Sequence, residues 1–397
     1  MPQSTSLADL AAQTSTLLTH FLGLLTVTPS EPPSSTAHST TTTTISPQGS
    51  TNNVNPDLPV LSVLRDSASL LKAHTTKLGL LLINKPFTPS AVEKVLREVS
   101  GTCLPTLMGA VEACRVEKWG ETVGAEVRAR VARVLRAFQE TVAEVGRVAG
   151  GGAQVGKSGV VGGMERLDLK SVGKGRREGE KGKEEVLAST GMVWESCDAL
   201  VELERVGVVG LVVKKAEEWR EMLADAMEEL KEWGQDDGED NEEDDEFDGA
   251  FSDDDSLGKM MVGGKIPKDN EELKALLQQS LKKLKLIETL YKALAKRRLK
   301  TFPFDSQVQS EPRDNLEART LRMRRLDEVL RYLRTIPETV DDMASRFYES
   351  DIQGVDAHLA ACCKAAESAS ETARMDWAGQ EDLFTSWGGK WAEAIGT

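Results

Sequence analysis

Residues 151–158 read Gly-Gly-Ala-Gln-Val-Gly-Lys-Ser, a literal match to the phosphate-binding pattern G-x-x-x-x-G-K-[ST]. Such a loop holds phosphate on backbone N–H groups because a strand leads into it and a helix follows. Here a helical pattern leads in, and the residues that follow are too rich in glycine to favour a helix. A flexible basic linker is the expected state, with Lys157 in solvent.

A second match lies in residues 244–255. Asp244, Glu246 and Asp248 occupy the first, third and fifth positions of a calcium loop, Gly249 the turn and Asp255 the twelfth. The bidentate glutamate of that loop is missing, and no helix pair flanks it, so a solvated acidic run is expected. Ser252, followed by Asp253, Asp254 and Asp255, has the surroundings of an acid-directed phosphorylation site. The histidines His20, His38, His74 and His358 fit no metal spacing or triad. No catalytic residue, metal ligand or cofactor site is expected.

At the level of segments, three stretches bury too little apolar surface to offset chain entropy and are expected to be disordered. They are the Ser/Thr/Pro-rich residues 28–59, the glycine-rich residues 150–183 and the acidic linker 236–266. In residues 236–255, 13 of 20 are Asp or Glu and none is Lys or Arg. Between these linkers the apolar residues recur at helical spacing. Leu7, Leu10, Leu17, Phe21 and Leu25 give an N-terminal helix within residues 1–27. Leu61, Leu64, Leu71, Leu78 and Leu82 give another. Ser90 and Glu93 form a capping-box pattern ahead of a helix that Pro105 should kink or break. Val127, Val131, Val134, Leu135, Phe138, Val142 and Val145 mark the buried side of a fourth.

Helices over 184–203 and 212–233 complete an N-terminal bundle, residues 60–235. The valine- and glycine-rich residues 206–213 could favour a strand, but with no second strand to pair they are read as an extension of the following helix. The C-terminal half, residues 267–397, holds helices over 270–300, 314–335 and 355–374. Pro337 starts a further segment, and residues 376–394 read as a helix interrupted at Gly388 and Gly389. The fold class is all-α, a helical bundle in two packed halves.

Residues 259–335 carry 19 Lys and Arg against 10 Asp and Glu, beside the acidic run. Lys296, Arg297, Arg298 and Lys300 could act as a nuclear-import cluster. On the same helix Leu277, Leu284, Ile287, Tyr291 and Leu294 follow three- and four-residue steps, a possible partner-binding seam or an ordinary bundle face. Composition bounds the rest. A net charge of -15 argues against direct nucleic-acid binding. No apolar run is long enough for a membrane span, and residues 1–9 lack the basic start of a secretory signal. Five cysteines without a C-x-x-C pair are expected to be reduced thiols in the cytoplasm or nucleus.

Three stretches, in this order, resemble the cyclin-D-binding protein (GCIP) family. The first is residues 78–111, with the turn Pro86-Phe87-Thr88-Pro89-Ser90. The second is Thr190-Gly191-Met192-Val193-Trp194-Glu195-Ser196-Cys197-Asp198, followed by an acidic amphipathic helix and then an acidic run. The third is Pro337-Glu338-Thr339-Val340-Asp341-Asp342-Met343-Ala344 with Tyr348 after it; here Glu349 and Ser350 stand where the family has prolines. The resemblance implies a helical, non-enzymatic cell-cycle regulator of nucleus and cytoplasm that binds cyclins or helix-loop-helix regulators. A structural adaptor at the cytoskeleton or membrane surface is the alternative, and a nucleotide-dependent enzyme rests only on residues 151–158.

Overall fold

The protein is described here from a computed structural model, which covers residues 6–26, 59–151, 169–235, 270–304 and 313–396. The described residues are all helical, with no strand among them. Residues 28–58, the core of the glycine-rich stretch and the acidic linker, all expected to be disordered, lie outside the described residues. The chain divides into two compact units, Met1–Gly207 and Val208–Asp305 with Glu311–Thr397.

In the first unit α1 (Leu7–Thr26) packs along α6 (Glu121–Gly151). Between them in sequence come α2 (Val60–Ile83), α3 (Pro89–Glu98), α4 (Leu104–Ala113) and the short α5 (Val116–Trp119). The valine stripe of α6 is buried throughout, as its spacing predicts. On α1 the buried positions are Leu7, Leu10, Ala11, Thr14 and Leu18, so Leu18 rather than Leu17 continues the core. A step of seven from Ala11 keeps a side chain on the same face of a 3.6-residue helix, and Leu18 lies on that step.

One local expectation fails at α3 and another holds. The helix begins at Pro89, with Thr88 as N-cap and no side-chain cap bond, so Ser90 sits inside the first turn and the capping box does not form. Proline at the first helical position loses no hydrogen bond there, which favours the earlier start. Pro105 does disturb the helix, through a π turn at Val99–Cys103 that joins α3 to α4. The wider turn relieves the clash between the proline ring and the preceding turn.

The helix α7 (Leu169–Gln235) is broken at Gly207, where φ is 67° and ψ -175°. That conformation is open essentially to glycine alone, and it is where the first unit ends. Residues 206–213 are therefore helical apart from this break. The contact division puts residues 208–235 with the second unit, whereas the sequence reading kept them in the N-terminal bundle. The helix also reaches back to Leu169, so residues 169–183, expected to be disordered, are helical. Lys, Arg and Glu are good helix formers, and a packed helix downstream supplies the nucleus from which such a stretch propagates.

The second unit comprises the arm of α7 after Gly207, α8 (Glu271–Leu294), α9 (Arg313–Tyr348), α10 (Ile352–Thr372) and α11 (Leu383–Gly396). Asn270 caps α8, its side-chain oxygen accepting from the Leu273 N–H at 3.0 Å. The most extensive packing is between α9 and α10, joined by a tight turn in which Ser350 adopts φ 57°. Two expectations fail in this unit. Pro337 starts no new segment, because α9 runs through it. Nor do Gly388 and Gly389 interrupt α11; Gly388 is buried, and a Cβ there would lie 3.4 Å from the Ser370 hydroxyl.

Candidate functional site

The seam on α8 is core. Leu277, Leu284, Ile287, Tyr291 and Leu294 are all buried in the second unit, so they present no surface to a partner. Hydrophobic spacing alone does not separate a coiled-coil seam from the buried face of a bundle helix. Tyr291 has a specific task there. Its hydroxyl donates to the Leu333 carbonyl on α9. Leu333 lies four residues before Pro337, and that carbonyl would normally accept from the N–H that proline lacks. Tyr291 thus supplies the donor that lets α9 continue through Pro337.

The basic cluster divides between surface and interior. A π turn, Ala295–Leu299, ends α8 and turns Arg298 inward, while Lys296, Arg297 and Lys300 remain exposed. Arg298 is buried and bridges to Asp382 at 2.8 Å. It also donates to the carbonyls of Ala373 (2.6 Å) and Arg374 (2.9 Å). Arg325 donates to the carbonyls of Thr372, Asp376 and Met375. The last carbonyls of a helix have no intrahelical donor, and here two guanidinium groups supply donors for the end of α10. Trp377 completes the arrangement. Its indole N–H donates to the Arg298 carbonyl at 2.8 Å, and its ring packs edge-on against Phe302. Arg298 is therefore unavailable to an import receptor. Sequence reasoning missed this assembly because its members come from four separate stretches.

Where α2 meets the first arm of α7 in the first unit, polar contacts fix an antiparallel register. Arg65 pairs with Glu204 at 2.9 Å and Lys72 with Asp198 at 2.6 Å. The Trp194 indole donates to the Thr76 hydroxyl at 3.1 Å. A Cβ at Gly79 would lie 2.9 Å from the Thr190 hydroxyl oxygen, so glycine permits this approach. On the outer side of the pair Leu80, Leu187 and Trp194 are 57%, 60% and 40% exposed. Gly191 stands among them with open space above its Cα. The inward face of the arm is Val186, Val193, Cys197, Leu200 and Leu203. Trp194 is out of phase with that stripe, the one sequence signal that could have marked it as an outward aromatic.

In the second unit, Tyr348 donates to Glu229 at 2.6 Å and packs edge-on against Trp233. Asp341 and Asp342 are exposed on the same helix. Burial, then Glu229 and Asp342, push the Asp341 carboxyl above its usual range. Ser252 and residues 244–255 lie outside the described residues, as do residues 152–158; Gly151 is the last residue of α6, so a helix does lead into that motif. Among the described residues no group of His, Cys, Asp and Glu is placed to hold a metal, and no helix is long and apolar enough to cross a membrane. All five cysteines are free thiols. Burial pushes Cys103 up to about 11, and Cys114, Cys197 and Cys362 up to about 12, which leaves them unreactive near neutrality.

Residues 63–236 match the family described as Grap2 and cyclin-D-interacting, N-terminal. That stretch is a Grap2 and cyclin-D-interacting N-terminal domain. It takes in the α2–α7 pair, with Trp194 and the glycines at 79 and 191, and crosses the break at Gly207. An uncharacterized protein of Schizosaccharomyces pombe is 26% identical over 339 residues, covering 84% of this chain and 83% of its own length. No solved structure matches the chain.

Proposed function

We propose that the protein is a non-enzymatic cell-cycle regulator that acts in cytoplasm and nucleus by binding other proteins, cyclins of the D type or helix-loop-helix regulators among them. The observation that carries this reading is the Grap2 and cyclin-D-interacting N-terminal domain over residues 63–236. The exposed face of the α2–α7 pair lies inside that domain and gives the partner a place to dock. Leu80, Leu187 and Trp194 supply apolar area, and open space at Gly191 admits a side chain from outside. Trp is the residue type most enriched where truncation weakens an interface strongly.

Titration calorimetry with purified D-type cyclins and helix-loop-helix domains tests the reading. Binding at micromolar or better is expected, weakened at least about tenfold by Trp194→Ala combined with Leu187→Ala. Failure of every such partner to bind the wild-type chain would defeat the reading. Binding that the double variant leaves unchanged would move the interface away from this face.

A further inference from the structure

We propose that the exposed cations at the end of α8 form a docking surface for this chain's own acidic run, residues 236–255. The inference is independent of the cyclin reading, since it concerns the second unit alone.

Lys296, Arg297 and Lys300 point outward from the π turn that buries Arg298. None of the three has an ion-pair partner among the described residues. The segment that leaves this turn carries Phe304, whose ring lies 5.5 Å from the Arg319 guanidinium of α9. Three acids of the same unit are engaged elsewhere. Asp382 is held by Arg298, while Glu371 and Glu381 approach Arg374 at 3.6 and 3.8 Å. Lys296, Arg297 and Lys300 are thus left without a paired acid among the described residues.

The occupant follows from charge and reach. Residues 236–255 hold 13 acids and no base. They are joined at one end to Gln235 of α7 and at the other to Asn270, the cap of α8, and both anchors belong to the second unit. The 24 residues of α8 span about 36 Å at about 1.5 Å each. The 14 residues between Asp255 and Asn270 reach about 50 Å when extended. Asp253, Asp254 and Asp255 can therefore lie on Lys296, Arg297 and Lys300. A tether of this kind holds the run at an effective concentration of roughly millimolar, so a weak contact is well populated. An acidic segment of a partner would compete for the same cations and must displace the run.

Zero-length carbodiimide coupling of the full-length chain, mapped by mass spectrometry, tests this. The reagent joins carboxylates to amines in direct contact. Docking predicts that the run couples to Lys296 and Lys300 in preference to Lys282, which is also exposed but lies nearer the tether. Raising salt to about 0.5 M should reduce that coupling several-fold, because exposed charges are then screened within a few ångströms. Arg297→Ala should reduce it as well, a change that touches none of the amines or carboxylates being joined. In a mixture of isotopically light and heavy chains, coupled peptides should remain unmixed. Coupling that favours Lys282, or that ignores both salt and Arg297, would mean the run does not dock. Mixed-isotope products would make the occupant a second copy and overturn the intramolecular contact.

Discussion

Tyr291 shows how one hydroxyl can support a helix on which it does not lie. Replacing it with Phe strands the buried Leu333 carbonyl, at a cost of about 1–3 kcal/mol. In a Pro337→Ala background the backbone N–H restored at position 337 takes over that carbonyl, so Tyr291→Phe should then cost little. Denaturant unfolding of the four proteins measures the difference, and equal costs in both backgrounds would refute the assigned role. Glu288 gives a second residue-scale test. Lys285 and Lys292, at 2.6 and 2.7 Å, hold its carboxyl down to about 2 from the ordinary 4.5, and Arg220 stands at 3.4 Å. A carboxyl whose folded value is depressed contributes stability above its unfolded value and loses it as pH falls toward the folded one. Both lysines are more than half exposed, so solvent screening reduces the gain to about 1–2 kcal/mol. Melting temperature should fall between pH 4.5 and 2, and Glu288→Gln should flatten that fall. Tyr291 was visible in the sequence as a member of an apolar series, but its hydrogen bond was not, because the acceptor stands 42 residues away.

At the scale of elements, the turn between α9 and α10 rests on two unusual positions. Ser350 holds φ 57°, a region that disfavours side chains other than those of Gly and Asn. Ser350→Gly should raise stability by about 1 kcal/mol in thermal melts. Gly354 is the opposite case. A Cβ there would come within 2.2 Å of the Asp351 carboxylate that caps α10, so Gly354→Ala should break the cap and destabilise by more than about 1 kcal/mol. On α8 the buried Ser280 hydroxyl has no hydrogen-bond partner among the described residues, so Ser280→Ala should be neutral or stabilising by chemical denaturation. The helices themselves were largely legible, because the apolar spacing on α2, α6 and α8 states both the period and the buried face. Three things were not. The run of α9 through Pro337 depends on Tyr291, the inward turn of Arg298 depends on a π turn, and the continuity of α11 through its glycines depends on packing against Ser370.

At the scale of the molecule, the division into two units is set at Gly207. Alanine there would have to occupy φ 67° and ψ -175°, or let α7 run on unbroken. Gly207→Ala should therefore lower stability by about 1–3 kcal/mol in urea unfolding, whichever way the chain resolves the strain. An unchanged midpoint would show that the break needs no glycine. The sequence pointed to glycine and valine at this place without revealing a boundary, since a lone glycine within a helical pattern reads the same whether it bends the chain or not. The Tyr291–Pro337 pair also bears on how such chains diverge. A proline inside a helix survives mutation only while another residue feeds the carbonyl it abandons. Relatives that replace the proline should be released to carry phenylalanine or leucine opposite it, while those that keep the proline should keep the hydroxyl. The two positions should drift as a coupled pair, with loss of the proline preceding loss of the tyrosine along any lineage.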